Sequence, residues 1–412
     1  RDHADAPVGR PVRTMLARLE IADFRNLAAL RLDCGPGLNL IGGDNAAGKT
    51  SLLEAIYLLS RARSFRTARP AELIRRGAAH LRLVARLERG GRSETLGLQR
   101  DGAQFTARLG GAPVGSLAEL ARALPVLLLT PDSHRLLDDG PRPRRRFLDW
   151  GVFQRDAGFL AHWRRYQLAL RQRNAALRQP AMLKSLPGWE AELAAAAAPL
   201  DVARAAFIAA LAAAAQPELA ALLDAPQVLA LDYRRGWPTG AGLAGVLAEA
   251  READRRAGHT RCGAHRADFA VKLGGRPLGE ALSRGQHKLL VAALVLAQAA
   301  LYREATGEPC VLLVLEGYDF RTALSSNMEM SQRLIRALVE RLLHRGDTLA
   351  FLGVLGKAAS DGSPHAGIGP GHAHHAIRWW FKTDQARPKC ACNLGRQIES
   401  GRIFGRPGHC QN

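Results

Sequence analysis

Acidic residues are in short supply in this chain: 38 Asp and Glu face 58 Lys and Arg, leaving a formal net charge of +20 and a pI near 10.8. A surplus that large excludes a charge-balanced surface and predicts a polyanionic partner. Arginine strongly outnumbers lysine, which favours forked phosphate contacts, although a GC-rich genome produces the same bias. Cysteine is also sparse. Cys34, Cys262 and Cys310 stand singly and the other three fall near the C-terminus, which excludes a disulfide scaffold for the body of the chain and suits a reducing compartment. No run of about 18 apolar residues occurs, and no basic–apolar–small-residue leader opens the sequence, so a soluble, cytoplasmic protein is expected. Heptads are missing too: the alanine run 194–198 is too short and too poorly patterned for a long coiled coil. A chain of 412 residues can nevertheless bury a large core, in two or three lobes.

What is present centres on Gly43-Asp44-Asn45-Ala46-Ala47-Gly48-Lys49-Thr50, followed by Ser51. The spacing is G-x-x-x-x-G-K-T. Leu38–Ile41 before it reads as a short buried strand, and residues 51–59 after it as a helix with Leu52, Leu53, Ile56 and Leu59 on one face. A strand running through a Gly-rich turn into a helix converges backbone N–H groups and roughly half a positive charge on an anion. Lys49 then reaches the β- and γ-phosphates, and the Thr50 hydroxyl ligates Mg²⁺. These residues, 43–51, form the expected site for a nucleoside triphosphate, ATP in the first instance.

Around that loop the pattern is mixed α/β. Residues 1–14 lack periodicity and are set aside as a disordered or artefactual extension. Leu19, Ile21 and Phe24 alternate into a turn at Asp23–Asn26, and Leu30 and Leu32 return, giving a hairpin whose tip residues Arg25 and Asn26 could reach a nucleotide, though loop polarity alone explains them about as well. Residues 80–117 alternate and break at Gly90-Gly91, Asp101-Gly102 and Gly110-Gly111, an antiparallel β meander. From about 151 to 250 the chain is Ala-rich and helical, with few turn signals before Pro217, an inserted lobe on an α/β head. Two arginine clusters are candidates for DNA phosphates. One is Arg61, Arg63 and Arg66 around Phe65; the other, favoured, is Arg144, Arg145 and Arg146. A solvated helix end explains the first cluster about as well.

A second anion site is expected at Ser283-Arg284-Gly285-Gln286, which opens an apolar helix with Ser283 as its N-cap. After that helix, Val311–Val314 reads as a buried strand of a parallel sheet.

The Asp23–Asn26 turn, the loop 43–50 with its helix, Arg63–Arg66, Gly140–Trp150, Arg171–Gln179, Gly263–Phe269 and Leu282–Leu290 occur in an order and spacing that resembles the RecF family of bacterial recombination and repair proteins. The likeness runs from Met15 to about Val314. It implies an ABC-type P-loop ATPase head with an antiparallel β subdomain and an inserted helical lobe, akin to that of the chromosome-condensing SMC proteins. It also implies that two copies dimerise around ATP, each γ-phosphate lying between the loop 43–50 of one copy and Ser283–Gln286 of the other. Further implications are binding to single-stranded, gapped and junction DNA, and work with RecR and RecO in loading RecA. The divisions expected are 15–150 and 256–314 for the two parts of the head, 151–255 for the lobe, and 315–412 for an atypical tail.

The tail departs from the family. Where two acidic residues should end the strand, Leu315 takes the place of the Mg²⁺-side carboxylate, and Glu316 is left as the candidate catalytic base. The Ser-x-Leu-Asp turn that should follow is absent. Residues 349–355 read as a strand without the family's motif, and loss of a sheet strand with its helix is expected to lower stability. Cys390, Cys392 and Cys410 with His374, His375 and His409 match no common zinc spacing. A shift of reading frame near residue 315 accounts for these departures, and the coding DNA in the other two frames tests it. Three readings follow: a DNA-binding repair ATPase, a nucleotide-gated DNA-binding module without effective hydrolysis, and, least in keeping with the charge, a transporter ATPase subunit.

Overall fold

The structure, a computed structural model, describes residues 16–35, 37–43, 46–89, 91–102, 104–223, 227–278, 282–316, 348–354 and 377–380. Asp44, Asn45, the N-terminal extension, the turn after Glu316 and the histidine- and cysteine-rich tail lie outside them.

The chain opens with an antiparallel hairpin, β1 (Leu16–Phe24) and β2 (Leu27–Asp33). Phe24 pairs with Leu27, so Arg25 and Asn26 alone form the tip, with Arg25 at φ 56°. Next come β3 (Leu38–Gly43) and α1 (Lys49–Arg61). The meander follows as β4 (His80–Arg89), β5 (Arg92–Asp101), β6 (Gln104–Leu109) and the short β7 (Ala112–Pro113). Its three turns fall at the expected glycines: pairs Arg89↔Arg92, Asp101↔Gln104 and Leu109↔Ala112 enclose two-residue loops, with Gly91, Gly102, Gly110 and Gly111 at positive φ. Two-residue loops of that kind match the right-handed strand twist. These strands form one six-stranded antiparallel sheet, in the order β2-β1-β4-β5-β6-β7.

After α2 (Leu117–Ala123), β8 (Val126–Leu129) enters a second sheet with β12 (Cys310–Glu316), β13 (Thr348–Val354) and β14 (Ile377–Trp380), in the order β14-β3-β13-β12-β8. β3, β13, β12 and β8 are parallel; β14 is antiparallel. The expected loss of a sheet strand is therefore corrected. Thr348–Val354 pairs with β12 over its whole length and with β3, because a ladder needs only backbone and an aliphatic run, not the family's motif.

On the other face of this sheet, beyond the short α3 (Arg135–Asp138), α9 (Arg284–Thr306) packs on β8 and β12. There α4 (Pro141–Arg155) and the 37-residue α6 (Leu186–Leu222) pack on α9, and α5 (Phe159–Arg178) packs on α6. α6 runs through Pro199 and Pro217, so the latter is no turn: each proline removes one N–H, and packing along the helix holds the rest. Nor is the inserted segment purely helical. β9 (Leu229–Arg234), which lies within it, pairs with β10 (Asp268–Leu273), and β11 (Arg276–Pro277) adds the third strand of a small sheet. Between β9 and β10 lie α7 (Leu243–Glu249) and α8 (Arg251–Ala257). By length and composition alone, 180–222 and 286–306 would each cross a membrane, but the second is mostly buried in protein, and α6 carries the ion-paired Glu190, Asp201 and Arg204 among its buried positions.

Two cores result, one on each face of the parallel sheet. Val311 and Leu313 of β12 pack with α1 and the meander; Cys310, Leu312 and Val314 pack with α4, α6 and α9. A strand's period of two sends alternate residues to opposite faces, so one short apolar run serves both cores.

Candidate nucleotide site and its surroundings

β3 delivers the chain to a tight turn with Ala46 at φ 65° and Gly48 at φ 105°, and α1 begins at Lys49. A Cβ on Gly48 would stand 2.6 Å from Leu27 Cδ2, so glycine is required both by conformation and by the close approach of the hairpin. No side chain caps α1 and its first turn holds no acid, so its leading N–H groups and dipole are left for an exogenous anion. Lys49 is buried and Thr50, second in the helix, half-buried. This environment fits a triphosphate.

The hairpin tip braces the loop. Asn26 Nδ2 donates to the Ala46 carbonyl at 2.7 Å, and the Ser51 hydroxyl donates to Asn26 Oδ1 at 2.7 Å. Arg25 grips the fully buried Glu54 of α1 through two bonds of 3.0 and 2.7 Å, and donates to the Glu72 carbonyl. Arg25 and Asn26, in reach of a nucleotide on the sequence reading, hold the loop and its helix through these bonds. Glu54 also accepts from Ser64 and, at 3.3 Å, from Arg66. Sequence reading missed Glu54; a lone acid on an otherwise apolar helix was its signal.

Ser283 caps α9 reciprocally: its hydroxyl accepts from the Gln286 N–H at 3.4 Å, and Gln286 Oε1 accepts from the Ser283 N–H at 2.9 Å. Both residues are exposed. α9 ends at Thr306 and β12 starts at Cys310, so this helix of 23 residues, about 35 Å long, runs back along the sheet and starts at the strands' C-terminal edge. α1 starts at the same edge, since it follows β3. The two helices pack on opposite faces, with the parallel sheet and roughly 20 Å between them.

At the end of β12, Leu315 packs with the core on the α1 face. The position from which a carboxylate would face the phosphate loop is therefore apolar. Glu316 has the opposite parity and ends the strand.

The candidate arginines divide sharply. Arg61 turns inward, donating to the Val126 carbonyl at 3.1 Å and lying 5.4 Å from the Trp150 ring; burial lowers its pKa to about 10. Arg144 holds Asp268 through bonds of 2.8 and 2.9 Å and donates to the Leu137 carbonyl. Arg145 donates to the Ala267 carbonyl. Arg61 and Arg144 are thus engaged as internal braces rather than free surface contacts, while Arg145 is half-buried and anchored to the segment before β10. Arg63, Arg66 and Arg146 remain exposed.

The remaining motifs also turn inward. Arg173, fully buried, donates to Asp254, Thr260, Glu190 and the Leu247 carbonyl, while Arg251 and Arg261 complete the acids' coordination. Asn174 Oδ1 accepts from the Thr260 N–H and hydroxyl. His265 lies with Nδ1 2.7 Å from the Tyr166 hydroxyl and Nε2 3.0 Å from the Thr260 carbonyl. Burial holds its pKa down to about 4, so the ring is neutral, donating from Nε2 and accepting at Nδ1.

Residues 15–316 match the RecF/RecN/SMC N terminal domain family. The DNA replication and repair protein RecF of Hydrogenovibrio crunogenus is 42% identical over 305 residues, 73% of this chain and 83% of that protein. Its counterpart in Stutzerimonas stutzeri is 44% identical over 302 residues, 73% of this chain and 81% of that protein. A solved structure of the recombination mediator protein RecF with ATP, from the RecFOR pathway, superposes with a TM-score of 0.72 at 22% identity, covering 85% of this chain and 94% of that one. The chain thus belongs to the RecF family of DNA replication and repair proteins.

Proposed function

We propose that this protein is an ATP-dependent DNA-binding protein of recombinational repair and replication restart, cytoplasmic, acting on single-stranded, gapped and junction DNA with RecR and RecO to help load RecA. One observation carries the ATP-dependent part. Two helix starts, the uncapped one of α1 and the exposed, serine-capped one of α9, lie at one edge of a single sheet but on opposite faces, too far apart for one triphosphate to touch both in the same chain. Two copies arranged face to face solve this, with Gly43–Ser51 of one copy and Ser283, Arg284, Gly285 and Gln286 of the other around a shared ATP. Nucleotide then becomes the ligand that selects the dimer, and the dimer the form that holds DNA. The +20 charge supports the DNA partner.

Leu315 favours a second reading of the same cycle, in which ATP gates binding and is hydrolysed feebly. Thr50 is available to Mg²⁺, whose charge would screen the phosphates, but the strand offers no carboxylate at the place that faces the loop.

Sedimentation and DNA binding with and without ATP test the proposal, on wild type, Lys49→Ala and Ser283→Arg. ATP is expected to shift wild type to a dimer and tighten DNA binding at least tenfold, and both variants to stay monomeric. A monomer with nucleotide-independent DNA affinity overturns the proposal.

A further inference from the structure

Beside α1, residues 62–70 fold over a pocket of about 400 Å³, within the roughly 300–1,000 Å³ range of small-ligand sites. Phe65 and Phe105, both half-buried, supply its aromatic wall, and Arg63 and Arg66 stand exposed on it. The rings are fixed from behind. Phe65 meets Tyr57 edge-on at 5.4 Å, and the Arg100 guanidinium lies 4.9 Å from the Phe105 centroid. The hydroxyls of Ser64 and Thr67 are already bonded to Glu54 and Glu72, which shapes the loop.

Alongside the pocket lies an uncompensated cluster of cations. Arg146, near the start of α4, feels the charges of both Arg142 and Arg63, and none of the three makes an ion pair among the described residues. Burial first, then the charges of Arg142 and Arg63, lowers the pKa of Arg146. α4 begins there after Gly140 with no side-chain cap, so its dipole adds positive potential to the same spot. Three like charges held together are unfavourable until an anion joins them.

An aromatic slot beside unneutralised arginines takes a flat base and its phosphates together, a pairing that an unstacked strand presents and an intact duplex does not. We infer that the pocket under residues 62–70 seats one unstacked base of single-stranded DNA, with the neighbouring phosphates held by Arg63, Arg142 and Arg146. The inference rests on the DNA-binding reading above and names the surface that would tell a gap or junction from plain duplex. The bond from Arg66 to Glu54 links this loop to the helix that bears the phosphate site.

The test compares equilibrium binding of a single-stranded oligonucleotide and a blunt duplex of equal length to wild type, Phe65→Leu and the double variant Arg63→Gln/Arg146→Gln. Unfolding midpoints confirm that each is folded. Leucine keeps apolar bulk against Tyr57 but removes the stacking ring. Phe65→Leu is expected to weaken single-strand binding at least fivefold, as the loss of one base–aromatic stack implies, and duplex binding less than twofold. The double variant should lower the salt slope on single strands by about 0.7 for each phosphate that is no longer neutralised. Equal effects of Phe65→Leu on both DNAs, or none on either, overturn the pocket while leaving DNA binding intact. Full displacement of the strand by micromolar nucleoside monophosphate also overturns it, since the pocket would then serve free nucleotide. Wild type that binds neither DNA refutes the underlying reading instead.

Discussion

At the scale of single residues, much of the polar chemistry that the sequence displays as motif is structural. Asn26, Arg25 and Glu54 illustrate it: each could have faced a nucleotide, and each is used to fix the turn or helix that does. His265 is the sharpest case, because its environment carries a measurable sign. The folded pKa of about 4 lies below the ordinary 6.5, so the unfolded chain binds the extra proton first. Stability is full above about pH 6.5 and declines as pH falls from there through 4. Between pH 7.5 and pH 5 the unfolding free energy of wild type should drop by about 2 kcal/mol more than that of His265→Asn, which lacks the titrating ring. Chemical denaturation at the two pH values checks this, and parallel slopes would contradict it.

At the scale of elements, the inserted lobe is held by a buried charge network rather than by apolar packing alone. α5, α6, α7, α8 and the segment before β10 all meet at the Arg173 guanidinium. Buried ion pairs give little net stability when whole, but losing one partner strands the others. Arg173→Met should therefore destabilise the protein by about 3–5 kcal/mol, read from the denaturant midpoint, with Arg173→Lys intermediate because it keeps the charge without the fork. α6 shows a different compromise: it stays helical through two prolines because its length is packed on one side. The meander was legible because glycines at regular breaks force two-residue turns. β9 was not, because six residues of alternation inside an alanine-rich stretch resemble a helix until a partner strand is known.

At the scale of the whole molecule, the parallel sheet divides two cores and sets the starts of α1 and α9 on opposite faces. In the proposed dimer a second copy completes the site across that division, and Leu315 stays on the α1 side of the sheet. Wild type is expected to hydrolyse ATP near background in the presence of Mg²⁺. Leu315→Asp should raise turnover at least tenfold, and Lys49→Ala should abolish the gain. Phosphate release assays check it, with nucleotide-binding titrations confirming that the buried carboxylate leaves the site folded. Rapid, Mg²⁺-dependent turnover by wild type would count against the weak-hydrolysis reading.

The glycine-rich turn before α1, the serine-capped start of α9 and the alternating meander were legible from the amino-acid order alone. Each is specified by neighbours within a few residues, through glycine conformation, N-cap hydrogen bonding or side-chain period. Which arginines face solvent was settled by long-range packing, because whether Arg144 meets Asp268 or a phosphate depends on where a strand 124 positions away comes to lie. Pairings of that kind are fixed by packing, and packing is settled only when the whole chain has folded.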